Sequence, residues 1–314
     1  MADDDEFRFL PRDAARVGRT APLPEVTRVS IEAGEGRHVS ALSFASVQEA
    51  ESAPEFVFLH GVGLNAHGWD PVALALDAPA LAIDLPGHGH SDWRADADYR
   101  PDLLAADVAP VLNALAPETF ELVGHSLGGL TAIVLAAMRP DRFGRLVVVD
   151  ITPGVVPKQD AAAIVEFIQG QRAFDSQDEM VDRAIAFGIG TDRAALAQGV
   201  ALNSRRRPDG RWEWMHHFAH LDGAPITEES DPAPLAALWA PLEGLHAAGV
   251  PVALVRATEG LVDDSLAEEW RRRLPGSQVR TVPGPHNLHE VVPTELAAAI
   301  RSVSPARRPT AVAD

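Results

Sequence analysis

Short runs that are apolar almost throughout, separated by amphipathic stretches, constrain this chain most. "EFVFLH" (55–60), "ALAIDL" (80–85), "FELVGH" (120–125), "RLVVVDI" (145–151) and "PVALVRAT" (251–258) show no polar face. A strand of that kind has to be covered on both sides, as in a parallel sheet. Helical patterns around 101–116, 126–138, 264–274 and 294–301 fall between the later runs. Strand–helix alternation implies a doubly wound α/β fold. "EVTRVSI" (25–31) and "HVSALSFAS" (38–46) alternate more and have no helix between them, which predicts an antiparallel pair at one edge. With "QVRTVPG" (278–284) as the last strand, the expected sheet is eight-stranded, mostly parallel and flanked by helices.

One region breaks the rhythm. Residues 153–248 carry helical patterns and no convincing strand between the sixth and seventh strand candidates. A helical cap inserted there would lie over the C-terminal strand edge, where open α/β sheets bind ligands. The expected organisation is an N-terminal arm (1–24), a core (25–152 and 249–302), the cap (153–248) and a flexible tail (303–314).

The chain has no cysteine, which removes disulfides, thiolate metal sites and a cysteine nucleophile. Its formal net charge of −18 disfavours nucleic acid and anionic membranes as partners. The acidic N-terminus has no apolar segment of the secretory type, and no apolar run reaches the ~20 residues that span a bilayer. The default expectation is a cytoplasmic protein.

"GHSLG" (124–128) fits G-x-S-x-G, a pattern weak by itself and strong in its setting. "FELV" precedes it as a strand, and "LGGLTAIVLAAM" follows as an apolar helix. So tight a strand-to-helix turn strains the backbone at Ser126, and flanking glycines remove side chains that would clash. The hydroxyl then projects at a helix N-terminus, whose dipole favours developing negative charge. A bland helix cap is the competing reading of Ser126. "HGVG" (60–63) directly follows the third strand. There the amides of Val62 and Leu127 would form an oxyanion hole.

These motifs, with "DLPGHGHSD" (84–92) after the fourth strand and "VPGPHNLHE" (282–290) after the last, resemble the α/β-hydrolase superfamily. The similarity is to its cap-bearing serine esterase and hydrolase group, and covers roughly residues 25–302. It implies an α/β-hydrolase fold and a nucleophile–histidine–acid triad with no cofactor. The family's histidine sits on the loop after the last strand, which His286 matches, with His289 as its rival. Its acid usually follows the seventh strand, but "VRATEGLVDDS" (255–265) has no Asp in that place, only Glu259, Asp263 and Asp264 nearby. A smaller set of similar proteins carries the acid after the sixth strand, where Asp150 stands. An ionised Asp at the end of a buried strand is costly without a partner, so a functional histidine would account for it.

In the cap, Trp212, Trp214 and Phe218 are candidates to line a substrate pocket. His216 and His220 have i, i+4 spacing, but no third ligand or H-E-x-x-H pattern goes with them, and no metal is expected. The implied function is a serine hydrolase cleaving a carboxylic ester or related acyl bond of a small molecule. Carbon–carbon or lactone hydrolysis and cofactor-free perhydrolysis use the same triad. A non-catalytic ligand receptor on the same fold is the reading from another class.

Overall fold

A computed structural model describes residues 6–45, 53–116, 119–156, 166–168, 170–221 and 233–303. The strands are β1 Val26–Gly34, β2 Arg37–Phe44, β3 Phe56–Leu59, β4 Ala80–Ile83, β5 Phe120–His125, β6 Phe143–Val149, β7 Ser204–Arg206, β8 Trp212–Trp214, β9 Val252–Glu259 and β10 Gln278–Pro285. Eight of them form one sheet in the order β1-β2-β4-β3-β5-β6-β9-β10. β1 pairs antiparallel with β2, and β2 antiparallel with β4. The pairs from β4 to β10 are parallel. All eight sequence-expected strands are present, with the antiparallel pair at the edge.

The absence of a polar face on the central strands has its reason in the two apolar layers. Side chains alternate across the sheet with period two. Val57, Leu59, Leu122, Leu146, Val148 and Leu254 face one side, where they pack with Leu104, Val108, Ile133 and Trp270. Phe56, Phe58, Val123, Val147, Val149 and Val255 face the other, with Leu10, Val72, Leu296 and Ile300. The first layer is covered by helices Pro101–Leu115, Leu127–Met138, Trp239–Ala247 and Asp264–Arg273. The second is covered by Leu10–Arg16, Asp70–Leu76 and Pro293–Ser302.

Two expectations are corrected. Residues 6–24 are not a free arm: helix Leu10–Arg16 buries Leu10 and Ala14 in the core. Arg16 also donates to the carbonyls of Glu290 (2.5 Å) and Val291 (2.9 Å). The apolar Leu10 and Ala14 lie four apart on one helix face, a signal masked by the charged residues around them. The segment between β6 and β9 is not wholly helical either. Helices Gln177–Ala186 and Arg193–Asn203 lead into the antiparallel hairpin β7–β8. Phe174, Met180, Val181, Val200, Trp214 and Ala219 form a small apolar cluster of its own. The tail expected over 303–314 lies outside the described residues, except for Val303, which is buried. Among the described residues no helix is long and apolar enough to cross a membrane.

The N-terminal helix reaches the inserted segment through Asp13, whose Oδ2 accepts from Gln198 Nε2 at 2.7 Å. Burial pushes the Asp13 carboxyl up to about 6. A carboxyl raised in the folded state gives stability that is present below its unfolded value and is lost as pH rises through the folded one. An asparagine there accepts the same bond without charge. Asp13→Asn is therefore expected to raise the urea midpoint over wild type by a margin that widens between about pH 4 and pH 7 and is flat above. A constant margin across that window would contradict it.

Candidate active site

The site is built where β3, β5, β6 and β10 end. β5 stops at His125, and Ser126 turns the chain into helix Leu127–Met138 with φ 52° and ψ −121°. A side chain in that sparsely populated region costs about 1–3 kcal/mol and persists only where the surroundings over-determine it. Here they do. A Cβ on Gly124 would overlap the Gly128 carbonyl, and one on Gly128 would overlap the Leu59 carbonyl at the end of β3. Both glycines of "GHSLG" are thus demanded by backbone packing. A Cβ on Gly61 would approach His125 Nδ1 to 2.9 Å and Ser126 Cβ to 3.1 Å, so the "HGVG" loop lies directly against the serine.

Asp150 follows β6 and is fully buried, with φ 49°. Its Oδ1 accepts from the Ala257 amide at 2.9 Å, and its Oδ2 from the Leu261 amide at 2.8 Å. The same Oδ2 accepts from His286 Nδ1 at 2.7 Å. With the proton on Nδ1, His286 presents Nε2 as a base. A bulge between Val282 and Pro285, with Gly284 at φ 147°, ends β10 and aims the histidine. The backbone of His286 is held as well, its carbonyl accepting from His125 Nε2 at 3.0 Å.

The other carboxylates stand elsewhere. Glu259 is exposed. Asp263 caps helix Asp264–Arg273 by accepting from the Leu266 amide, and Asp264 pairs with Arg256 at 2.6 Å. His289 is sealed in the interior beside Trp69 and His125, and burial lowers its pKa to about 3. Of the candidate acids and histidines, Asp150 and His286 are the pair brought together.

Val62 and Leu127 flank Ser126 on the loop and at the first helical position. Neither amide has a hydrogen-bond acceptor among the described residues. Leu127 stands where a helix leaves its N–H groups unpaired. The loop carrying Val62 is braced from "DLPGHGHSD". His60 Nε2 accepts from the Leu85 amide at 2.9 Å, which puts its proton on Nδ1, facing the Gly61 carbonyl at 2.7 Å. His88 Nε2 accepts from the Gly63 amide at 3.1 Å, and its Nδ1 faces the Pro86 carbonyl. Burial lowers the pKa of both rings, keeping them neutral. Buried Asp84 accepts from Ala66 N at 2.7 Å and pairs with Arg28 at 2.7 Å. Burial would raise its carboxyl, but the Arg28 charge and the backbone donors hold it lowered.

The cap candidates are taken up in packing. Trp214 is buried in the inserted segment's own cluster with Trp212 at its margin, and Phe218 packs against His88 and Tyr99. His216 Nδ1 accepts from the Ala219 amide, whereas His220 Nε2 bonds the Trp214 carbonyl. Among the described residues no group of three or more His, Asp or Glu could hold a metal ion.

Two site residues escaped sequence reasoning. Gly260 leaves the room Asp150 occupies, since a Cβ there would overlap Asp150 Oδ2. Its signal was a glycine immediately after a buried strand. Asn203, which donates to the Gly63 carbonyl, carried no signal at all.

A family profile described as alpha/beta hydrolase fold matches residues 54–293. Esterase Rv0045c of Mycobacterium tuberculosis is 42% identical over 275 residues, covering 86% of this chain and 85% of that protein. Its crystal structure superposes with a TM-score of 0.79 at 40% identity, over 96% of this chain and 99% of that one. The mouse sn-1-specific diacylglycerol lipase ABHD11 is 27% identical, covering 83% of this chain and 84% of the lipase.

The carboxylate geometry is open to a direct test. A short Nδ1–H···carboxylate bond gives a strongly downfield proton resonance. Gly260→Ala should abolish that signal of His286 by displacing Asp150, whereas Glu259→Ala should leave it in place. Its persistence in Gly260→Ala would show that Asp150 is not the partner.

Proposed function

The chain belongs to the alpha/beta hydrolase fold family, and on that premise we propose that it cleaves small-molecule carboxylic esters through an acyl-enzyme on Ser126. It is an esterase of that fold, as its similarity to the mycobacterial esterase supports. The observation that carries the mechanism is the 2.7 Å bond from His286 Nδ1 to buried Asp150, on the sheet edge that also presents Ser126 in its strained turn.

Ser126 Oγ attacks the ester carbonyl while His286 Nε2 takes its proton. Asp150 fixes the ring's tautomer and stabilises the imidazolium without itself becoming protonated. The carbonyl oxygen, now an anion, is met by the amides of Val62 and Leu127. Collapse expels the alkoxide, which leaves as the alcohol with the proton from His286. Water then attacks the acyl carbon, giving its proton to Nε2. The second tetrahedral intermediate releases the carboxylic acid, and Ser126 recovers its proton. No cofactor is required. A carboxylic ester is favoured over a lactone or a carbon–carbon bond by the esterase relative. The segment between β6 and β9 would act as the cap that selects the substrate.

A fluorophosphonate probe should label wild type on the peptide containing Ser126 and leave Ser126→Ala unlabelled. With p-nitrophenyl esters, Asp150→Asn should lower kcat by about 10³–10⁴-fold, the scale for a triad acid that sets the tautomer. Glu259→Gln should stay within about twofold of wild type, as expected of an exposed side chain with no part in the chemistry. Labelling at another residue, or the reverse order of the two variants, would reassign the site.

A further inference from the structure

The loop that carries Val62 is held from two sides, and one of them is the inserted segment. Gly63, the next residue, has φ 73°, a conformation glycine enters freely and leaves as freely. Its amide donates to His88 Nε2 at 3.1 Å. Its carbonyl accepts from Asn203 Nδ2 at 2.7 Å. Asn203 ends helix Arg193–Asn203 and is 8% exposed. The contact is reciprocated: Asn65 Nδ2 donates to the Leu202 carbonyl at 2.7 Å, and the Met215 amide donates to the Asn203 carbonyl at 3.0 Å. Ile168 and His216 wall the same glycine, within 4 Å of where a Cβ would stand. The histidine clamp belongs to the core. The asparagine clamp comes from a segment 140 residues away in sequence.

We propose that Asn203 is a positioning residue for the oxyanion hole. By fixing the Gly63 carbonyl it holds the Gly63–Leu64 peptide, whose Leu64 N–H donates to the Gly61 carbonyl at 3.3 Å. That carbonyl shares its peptide plane with the Val62 N–H, so the clamp sets the direction of the Val62 amide. With the clamp absent, the Gly63–Leu64 peptide is left with that long 3.3 Å bond and can turn about the glycine's ψ, taking the Leu64 N–H off the Gly61 carbonyl. The Val62 donor then loses its aim in the transition state, while the ground-state pocket is little changed. The inserted segment thus completes the catalytic machinery as well as covering it. This rests on the acyl-enzyme reading, because it requires an oxyanion to form beside Val62.

The test is steady-state kinetics of Asn203→Ala and the isosteric Asn203→Asp, which puts an acceptor where the donor stood. Rates are normalised to sites titrated with the fluorophosphonate probe, so that incomplete folding does not enter. Misplacing one oxyanion donor by about 1 Å costs on the order of 10²-fold. The expected result is a kcat per titrated site lowered about 10–100-fold in both variants, with KM within about threefold of wild type. A trifluoromethyl ketone, which forms an anionic hemiketal with the serine, should bind more weakly by a similar factor, whereas a substrate-like amide should not. Wild-type kcat in either folded variant, or a loss falling wholly on KM, would overturn the proposal. If wild type itself is neither labelled at Ser126 nor inhibited by the ketone, the acyl-enzyme reading has failed instead.

Discussion

The site depends first on how a fully buried carboxylate is tolerated. Asp150 has no exposed surface, and an ionised group in such a place is destabilising by several kcal/mol unless its lone pairs are engaged. Three donors engage them: the Ala257 amide, the Leu261 amide and His286 Nδ1. The first belongs to β9, the second to the turn beyond it, and the third to the loop after β10. One carboxylate therefore ties together the ends of three neighbouring strands, β6, β9 and β10. The order of those strands in the sheet is what makes the tie possible. It also explains why Gly260 is where it is, since any side chain there would occupy the carboxylate's place.

Strain is stored at both partners of this arrangement. Ser126 and Asp150 are each non-glycine residues at positive φ, at the ends of adjacent strands. Both are held by the ladder itself: the Ser126 amide donates to Val149 O at 3.1 Å, and the Asp150 amide to Val255 O at 2.8 Å. The last bond of the parallel sheet is made, and only then does the chain turn sharply. A rigid sheet edge can impose a conformation that a loop would relax. The close approach of Gly124, Gly128 and Gly61 removes the room in which the turn could open.

Much of this was legible in the sequence, and the reasons are uneven. All-apolar runs revealed the sheet because burial on two faces leaves no alternation to misread. Ser126 was legible because a strained turn demands glycines at fixed offsets in sequence. His286 and Asp150 needed the resemblance to select them, because partners 136 residues apart leave no local trace of their contact. The docking of helix Leu10–Arg16 was hidden by the charges around it, though Arg16 and Asp13 prove to be contact residues rather than solvated ones. The β7–β8 hairpin was missed because strands of three residues are too short to show a period. Asn203 was illegible for a different reason. A single amide donating to a single carbonyl has no pattern, and only the packing of the inserted segment gives it meaning.

The histidines around the site extend the same logic to its charge balance. His60, His88, His125, His216 and His289 are all buried, and burial lowers the pKa of each. A neutral imidazole offers one donor and one acceptor on opposite edges of a rigid ring. His60 uses them to join Leu85 N to Gly61 O, and His88 to join Gly63 N to Pro86 O, so two rings stitch the loops after β3 and β4. Lysine or arginine in these places would supply donors alone and leave the amides without acceptors. A cationic residue would also bring a fixed positive charge near His286, the ring that takes up a proton in the proposed mechanism. Like charges nearby would depress that ring's basicity. Neutral histidines brace the loops without that penalty, and the carboxylate of Asp150 is the charged group that His286 Nδ1 meets.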